Sequence, residues 1–541
     1  MASPEKTDVL IIGGGIAGIS TAIELLSQNR KVWIIDRDIE ENFGGLAKES
    51  FGGMFFVDTP TQRKSGFEDS PELALEDWMS VADFDREDEW PKAWAKQYIY
   101  NCTSQVHDWL KPLGIRFFPV VHWVERGMER RGNTLPRFHM VWGTGYELIK
   151  VLIKHLQHHP NAENNLKLSF GYKVEELLSD NQRISGAKGI IEEHDEAFEI
   201  QAETTVVATG GIGGSIEKVK ENWYKPWGEP PHEILNGAHE FGDGTLHDAV
   251  QKRGGNITHL DWMWPYAAGV RHPRPKRKNH GLSLVPPKSA IWVNFKGERI
   301  GPRPLITGYD TRFLVEQICK QEKKYSWQVL NLKIAHKEFA ISGAEFNTAI
   351  RDKSYFRFFR SILFGNKELV KDMLDNCEDF VFANTIEELA AKMNALTESD
   401  DVNTETLKAA VADYDMEVEK GADGTDDEQL EKIAHARKYK GDKVRTCNFQ
   451  KIADPKAFPL IAIRETIVAR KTLGGIQTNL ECKVLSKQGK PMDGLYAVGE
   501  VAGIGGGGMH GKGTLEGTFL GGCILTGRIA AYAIAGKKLI N

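Results

Sequence analysis

Three glycines at fixed spacing carry the first chemistry in this chain. Asp8-Val-Leu-Ile-Ile leads into Gly13-Gly14-Gly15-Ile16-Ala17-Gly18, and Lys31-Val-Trp-Ile-Ile follows, ending at Asp36. Gly13 allows a tight turn, Gly15 lets backbone approach a pyrophosphate, and Gly18 lets a helix pack close on a strand. The helix opening there offers free N–H groups and a positive dipole end to the phosphates. The Asp36 carboxylate suits a ribose 2′-hydroxyl and repels a 2′-phosphate. A second fragment lies near the other terminus: Asp493-Gly494-Leu-Tyr496-Ala-Val-Gly499-Glu500, then a glycine-rich run to Gly522. One large cofactor gripped by both ends of the chain joins the two readings, and that arrangement points to FAD.

Strands and helices must hold these residues. Val9 to Ile12 is an unbroken apolar run, as in a parallel strand buried on both faces. Thr205-Val-Val-Ala208-Thr209-Gly210-Gly211 reads as another buried strand closing on a glycine turn, and Asp243-Gly244 opens a helix toward Gly254. Apolar spacing predicts helices over 91–113 and 145–158. Alternation predicts strands over 166–200, with turns at Asp180-Asn181 and Gly186. Gly517 to Ala535 contains Arg528 and several glycines and reads as a buried helix rather than a bilayer span. From Thr258 to Pro455 the texture changes to charged helices and Pro/aromatic loops, with an acidic stretch from Glu398 to Glu431. The expected fold class is α/β. A Rossmann-like FAD-binding domain is built from both chain ends, 1–257 and 456–541, with an α+β cap domain inserted at 258–455.

Composition narrows the function. The 541 residues exceed a single core, and the net charge of −6 gives no general pull toward nucleic acid. Six scattered cysteines without a C-x-x-C pair argue against zinc, iron–sulfur or disulfide frameworks, so no metal is expected. The first eight residues are polar and carry no signal peptide, which with the lack of a spanning segment gives a cytoplasmic expectation. Gly506 to Gly513 nearly spells a P-loop, but Gly513 stands where Ser or Thr must bind magnesium. Its glycines read instead as backbone approaching the flavin. The basic run Arg271 to Lys278 reads as a solvated loop. Trp262, Trp264, Tyr266 and Trp327 are consistent with a fairly apolar substrate, and equally with buried aromatics.

Taken together, the motifs resemble the flavoprotein family of fumarate reductase, succinate dehydrogenase and 3-ketosteroid dehydrogenase. The resemblance runs nearly end to end. It rests on GGGIAG at 13–18, GG…FGG at 44–53, ATGG at 208–211, GDG at 242–244, VN-x-x-G-x-R at 293–299, TLGG at 472–475 and GLYAVGE…HG at 494–511. It implies non-covalent FAD, because Leu46 and Ala47 fill the stretch where covalent members place a histidine. The cofactor set expected from the resemblance adds Arg37, Gly45, Leu46, Ala47, Ser50, Gly52, Gly53, Val174, Asp243, Gly499, Glu500, His510, Gly517, Thr518, Phe519 and Leu520 to Gly13, Gly15, Ile16, Ala17, Gly18, Asp36, Ala208, Thr209, Gly210 and Gly211. Arg137 and His139 lie where the family has a histidine-containing stretch beside the cofactor.

Departures from the family pattern shape the expected reaction. Dicarboxylate-reducing members carry HG-x-NRLGGN and a histidine before TxGG. This chain has Thr514 at the arginine position, Glu516 beside it, and Lys471 for the histidine. Ketosteroid dehydrogenases place a tyrosine just beyond VN-x-x-G-x-R, near Tyr309 here, but their Y-P-G-P-G element is absent. The resemblance therefore implies hydride exchange at a CH–CH bond beside a carbonyl. Tyr309 is the expected proton-transfer residue, with Arg312 and Arg303 as alternatives; the electron acceptor is unspecified. Two other readings stay open at this point: a flavin monooxygenase, and a flavin-binding protein without turnover.

Overall fold

The apolar run of the first strand, Glu5–Ile12, is shared between two cores. In the computed structural model, which describes residues 5–540, Val9 and Ile11 enter one core while Leu10 and Ile12 enter another. The first contains helices Ile16–Ser27 and Thr518–Ile534. The second contains antiparallel strands Tyr172–Asp180 and Arg183–Ile191 and helix Thr245–Lys252. A strand covered on both faces has no solvent side, so its sequence shows no polar alternation. The polar opening residues 1–4 lie outside the described residues.

Strand order brings the two chain ends together. Glu5–Ile12 pairs in parallel with Val32–Ile35 on one side and Glu196–Val207 on the other, with Ile11 opposite both Ile34 and Val206. Leu166–Ser169 extends the sheet beyond Val32–Ile35, and Pro491–Ala497 extends it beyond Glu196–Val207, both in parallel. The strand from the far end of the chain is thus one strand removed from the first. The two long helices also touch through small residues. A Cβ on Gly527 would stand 2.6 Å from the Ala17 carbonyl oxygen, and a Cβ on Gly499 2.8 Å from the Ala17 Cβ.

A second sheet is organised around one long strand, Leu460–Thr472. It pairs antiparallel with Tyr325–Asn331 and Met263–Arg271, and Gly281–Val285 and Ile291–Val293 lie farther out. Its strands span 235–472 and so reach past the 258–455 insertion at both ends. Leu460–Thr472 lies in the stretch 456–541 expected in the nucleotide-binding domain, yet all its strand partners are in this second sheet. Helices Thr311–Cys319, Thr404–Lys420 and Glu428–Lys438 pack here around Trp292, Trp327 and Tyr414.

Several local expectations change. Asn181 turns with φ 45°, but Gly186 lies inside Arg183–Ile191, where a Cβ would meet the Ile200 oxygen at 1.9 Å. The helix predicted over 91–113 is Glu89–Cys102, continued by a wider-wound turn at Thr103–His107. Met263–Arg271 is a strand rather than an aromatic loop, and Trp327 is wholly buried in the core around the second sheet. Four of the five cations in the basic run are ion-paired, Arg271 with Asp379, Arg274 with Asp372, Lys276 with Glu345 and Arg277 with Glu49. Among the described residues all six cysteines are free, no cluster could hold a metal, and no helix is long and apolar enough to cross a membrane.

Arg137 serves the scaffold. Its guanidinium donates to Asp69 at 2.8 Å and Asp77 at 2.6 Å, with all three side chains fully buried. The adjacent His139 bonds Thr59 Oγ1 at 2.8 Å, and burial pushes its pKa down to about 3. Phe138–Met140 is a short strand, so Phe138 and Met140 face one side and His139 the other. Removing one member of a buried ion pair leaves an uncompensated charge. Arg137→Met is therefore expected to cost roughly 3–5 kcal/mol. Urea unfolding checks this, and a loss under about 1 kcal/mol, the scale of an exposed pair, would contradict the assignment.

Candidate active site

Residues of both sheet bodies line one cavity of about 550 Å³. One end is a glycine cradle. Gly13, Gly15, Ile16, Ala17, Asp36 and Arg37 line it, as do Gly45, Leu46, Ala47, Ser50, Gly52, Gly53 and Val174. Ala208, Thr209, Gly210, Gly211, Asp243, Glu500, Gly517, Phe519 and Leu520 complete that set. Two helices begin at this wall, and their N-caps Gly15 and Gly517 supply no side-chain bond to the first turn. First-turn N–H groups without a cap are donors for a bound anion or polar edge.

The glycines divide by what they face. A Cβ on Gly15 would meet nothing within 4 Å, whereas one on Gly18 would stand 2.2 Å from the Gly13 oxygen. Gly15 opens onto the cavity, and Gly18 serves helix–strand packing behind the wall. Asp36 accepts the Gly14 N–H and, at 2.8 Å, the Asp38 N–H, which leaves lone pairs for a hydroxyl. Arg37 is clamped between Glu192 at 2.9 Å and Asp243 at 3.1 Å. Glu500 accepts the Thr472 N–H at 2.9 Å.

Beside Gly517 and Phe519 of the cradle lies a cluster of ionisable side chains. Tyr266 donates its hydroxyl to Glu516 and sits 3.2 Å from Lys471 Nζ, while Trp264 donates to Glu516 at 3.1 Å. Lys471 lies 3.8 Å from Glu516 and 4.1 Å above the Phe519 ring. Burial, reinforced by the Glu516 charge, pushes the Tyr266 pKa far up and keeps the phenol protonated. Burial also works against the Glu516 carboxylate, but Lys471 and the two donors hold its pKa below the ordinary value. Tyr266, Lys471 and Glu516 all line the cavity, and so does Glu125. Glu125 accepts the Thr311 N–H at 3.1 Å and the Thr311 hydroxyl. Burial, helped by Asp310, pushes its pKa up to about 8.

The proton-transfer residues expected from the sequence lie elsewhere. Tyr309 is 2 % exposed and donates to the Lys432 carbonyl at 2.7 Å, with its pKa pushed up to about 12 by burial. Arg303 pairs with Glu428 at 2.9 Å and Arg312 with Glu316 at 3.0 Å. None of the three lines the cavity, although Thr307, Gly308 and Thr311 of the same loop do. Position in a loop fixes proximity but not which side chains point inward.

Gly18, Gly499, His510 and Thr518 stand behind the wall. His510 is stacked between Trp78 and Phe519, its Nε2 is 2.9 Å from Thr518 Oγ1, and burial lowers its pKa to about 3. The glycines at 506–513 also lie off the cavity. A Cβ on Gly506 would stand 2.7 Å from the Trp94 ring and one on Gly511 2.0 Å from the Ala82 oxygen, so they serve packing rather than the flavin. Glu125 carried no motif. Tyr266 and Lys471 were legible only as an aromatic and as a missing histidine, although Trp264 and Tyr266 share a strand face at i, i+2.

The family described as FAD binding domain matches residues 8–520. The chain belongs to that family. Its flavoprotein character, read from the motifs, is borne out. The chain is 40 % identical to a KsdD-like steroid dehydrogenase of Mycobacterium tuberculosis, over 98 % of this chain and 95 % of the relative. The fold is similar to the open conformation of a flavocytochrome c3 fumarate reductase, with TM-score 0.68 and 23 % identity over 100 % of this chain and 80 % of that one. It is also similar to a 3-ketosteroid delta1-dehydrogenase from Sterolibacterium denitrificans, with TM-score 0.67 and 16 % identity over 98 % of this chain and 100 % of that one. The cradle fits FAD: uncapped helix starts, the open face of Gly15 and the spare acceptor capacity of Asp36 match pyrophosphate and ribose.

Glu125 gives stability a pH signature. Its folded pKa of about 8 lies above the ordinary 4.5, so its folded form favours the proton. The associated stability is intact below about pH 4.5 and is lost as pH rises through 8. Glu125→Gln, which never ionises, is expected to be more stable than the parent at pH 9 by on the order of a few kcal/mol, with the gain shrinking toward pH 5. Denaturant midpoints at the two pH values check this, and equal differences at both would refute it.

Proposed function

We propose that this flavoprotein is a dehydrogenase of the CH–CH class that desaturates, or in reverse reduces, a bond beside a carbonyl in a small apolar substrate. A 3-ketosteroid is the first candidate, given the steroid dehydrogenase name of the 40 % identical relative. The observation that carries the reading is Tyr266. A protonated phenol lies on the wall of the cavity that also holds the glycine cradle, fixed between Glu516 and Lys471. We take the body of the second sheet, centred on the 258–455 insertion, as the cap over a nucleotide domain formed by both chain ends.

FAD, when bound, supplies the hydride chemistry. The chain's own groups handle polarity and protons. On substrate binding Tyr266 turns its single hydroxyl proton from Glu516 to the substrate carbonyl oxygen, and its neutral form persists because burial and Glu516 oppose the phenolate. Glu125 takes or returns the proton on the neighbouring carbon, since its pKa near 8 lies close to working pH. Tyr309, Arg303 and Arg312 act instead as loop anchors. A dicarboxylate is disfavoured. Thr514 sits at the arginine position with its hydroxyl bonded to Thr518 at 3.1 Å, and Lys471 is already faced by Glu516.

We infer non-covalent attachment, so acid precipitation should release yellow FAD into the supernatant; flavin that stays with the pellet would overturn this. Gly15→Val should abolish FAD binding without unfolding the chain, because its side chain grows into open space. Normal FAD content in that variant would refute the cradle. In anaerobic titrations, enones or saturated ketones including 3-ketosteroids should change the flavin absorbance, and fumarate should not. With the responding substrate, Tyr266→Phe and Glu125→Gln should keep the flavin spectrum and lower turnover by roughly two to four orders of magnitude. Parent rates in both variants would refute the assigned roles.

A further inference from the structure

The surface carries an unusual helix beside the cavity. Tyr355–Phe364 reads YFRFFRSILF and contains no buried residue. Of the 14 exposed large hydrophobic side chains on the described surface, five sit on these ten residues: Tyr355, Phe356, Phe359, Leu363 and Phe364. Phe356 is 79 % exposed and Leu363 75 %. Phe356, Phe359 and Leu363 recur at i, i+3 and i+7, so they form one outward stripe. Isolated exposed apolar residues need no explanation, but a contiguous stripe of this kind marks an interaction surface.

Charge indicates what covers it. From Lys353 to Lys367 the chain has Lys353, Arg357, Arg360 and Lys367 and no acidic residue, within a protein of net charge −6. Lys353 and Arg357 pair with Glu147 and Asp352, while Arg360 and Lys367 have no ion-pair partner among the described residues. Aromatic and aliphatic groups on one face with cations beside them fit the boundary of an anionic bilayer.

The helix is also continuous with the cavity. Phe358, on its inner side, packs on Phe118 at 4.8 Å between ring centroids, and Tyr355 stacks on Trp142 at 4.4 Å. Phe358, Phe118, Ile350 and Met140 form an apolar wall of the cavity, and Val285, also on the wall, is 44 % exposed. We propose that the helix Tyr355–Phe364 is an interfacial anchor that lays this side of the cavity on an anionic phospholipid surface. The use of that contact, passage of an apolar substrate from lipid along Phe358, rests on the function proposed above; the anchoring does not.

The test uses the FAD-loaded full chain and sedimentation with vesicles. One set is phosphatidylcholine alone and the other an equal mixture with phosphatidylglycerol. The parent should sediment with the mixed vesicles, less with phosphatidylcholine alone, and less at high salt. Phe356→Ser/Phe359→Ser should partition at least about tenfold more weakly with unchanged flavin absorbance, since two large apolar groups no longer enter the interface. Arg360→Glu should lose the preference for the anionic vesicles. Parent protein left in the supernatant with both sets overturns the proposal, and so does equal sedimentation of the double variant. A parent dimer that becomes monomeric in the double variant, without vesicle binding, overturns it by showing that a second copy covers the stripe. Vesicle binding by a protein inert toward every carbonyl substrate would leave the anchor standing and refute only the substrate reading.

Discussion

The close contact of two helices from opposite ends of the chain is the constraint on which the site depends. Ile16–Ser27 and Thr518–Ile534 each begin at the cavity wall with an uncapped glycine. Their approach is set where Gly527 meets Ala17, and Gly499 comes under the same residue. A side chain at either glycine would push the helices apart and move both N-termini relative to one another. The parallel register of Pro491–Ala497 on Glu196–Val207 fixes the same relation from the sheet side. Two independent contacts therefore hold two distant segments at one cavity wall.

Beyond that frame, the chemistry is governed by burial. Tyr266, Glu516 and Lys471 gather in a place poor in water, and each alters what the others can be. The carboxylate stays ionised because a cation and two donors surround it, and the phenol stays neutral because that carboxylate is there. Glu125 lacks a facing cation and drifts the other way, toward its protonated form. Two carboxyl groups on one cavity wall thus hold different charges near neutral pH, a separation suited to paired acid and donor roles.

The sequence made the cofactor half legible and left the substrate half largely hidden. Gly13, Gly15 and the glycines of 44–53 announce themselves because a backbone position that has no room for a Cβ, as at Gly13, Gly44, Gly52 and Gly53, or that opens on the cavity, as at Gly15, admits almost no other residue type. Tyr309 shows the limit. Its loop does border the cavity, but Thr307 and Thr311 face it while the tyrosine turns to Lys432. Spacing along a loop carries no periodicity from which a facing could be read. Glu125 left no trace, since its character arises from burial in the folded chain, with Asp310 adding to it from across the fold. The strand Leu460–Thr472 likewise falls in the stretch 456–541 read as nucleotide-binding although it belongs to the second sheet, because an apolar run does not name its partners.

The meeting of Tyr266, Lys471 and Glu516 has an evolutionary consequence. The three come from separate stretches of chain, two of them facing strands and the third the residue before a helix cap. Replacing Lys471 alone would strand a buried carboxylate, and replacing Glu516 alone would strand a buried ammonium. Either step passes through a less stable intermediate, whereas a concerted change to neutral residues need not. The substrate end of such a protein would change in jumps rather than by drift, with these three positions inherited as a unit while the glycine cradle stays constant.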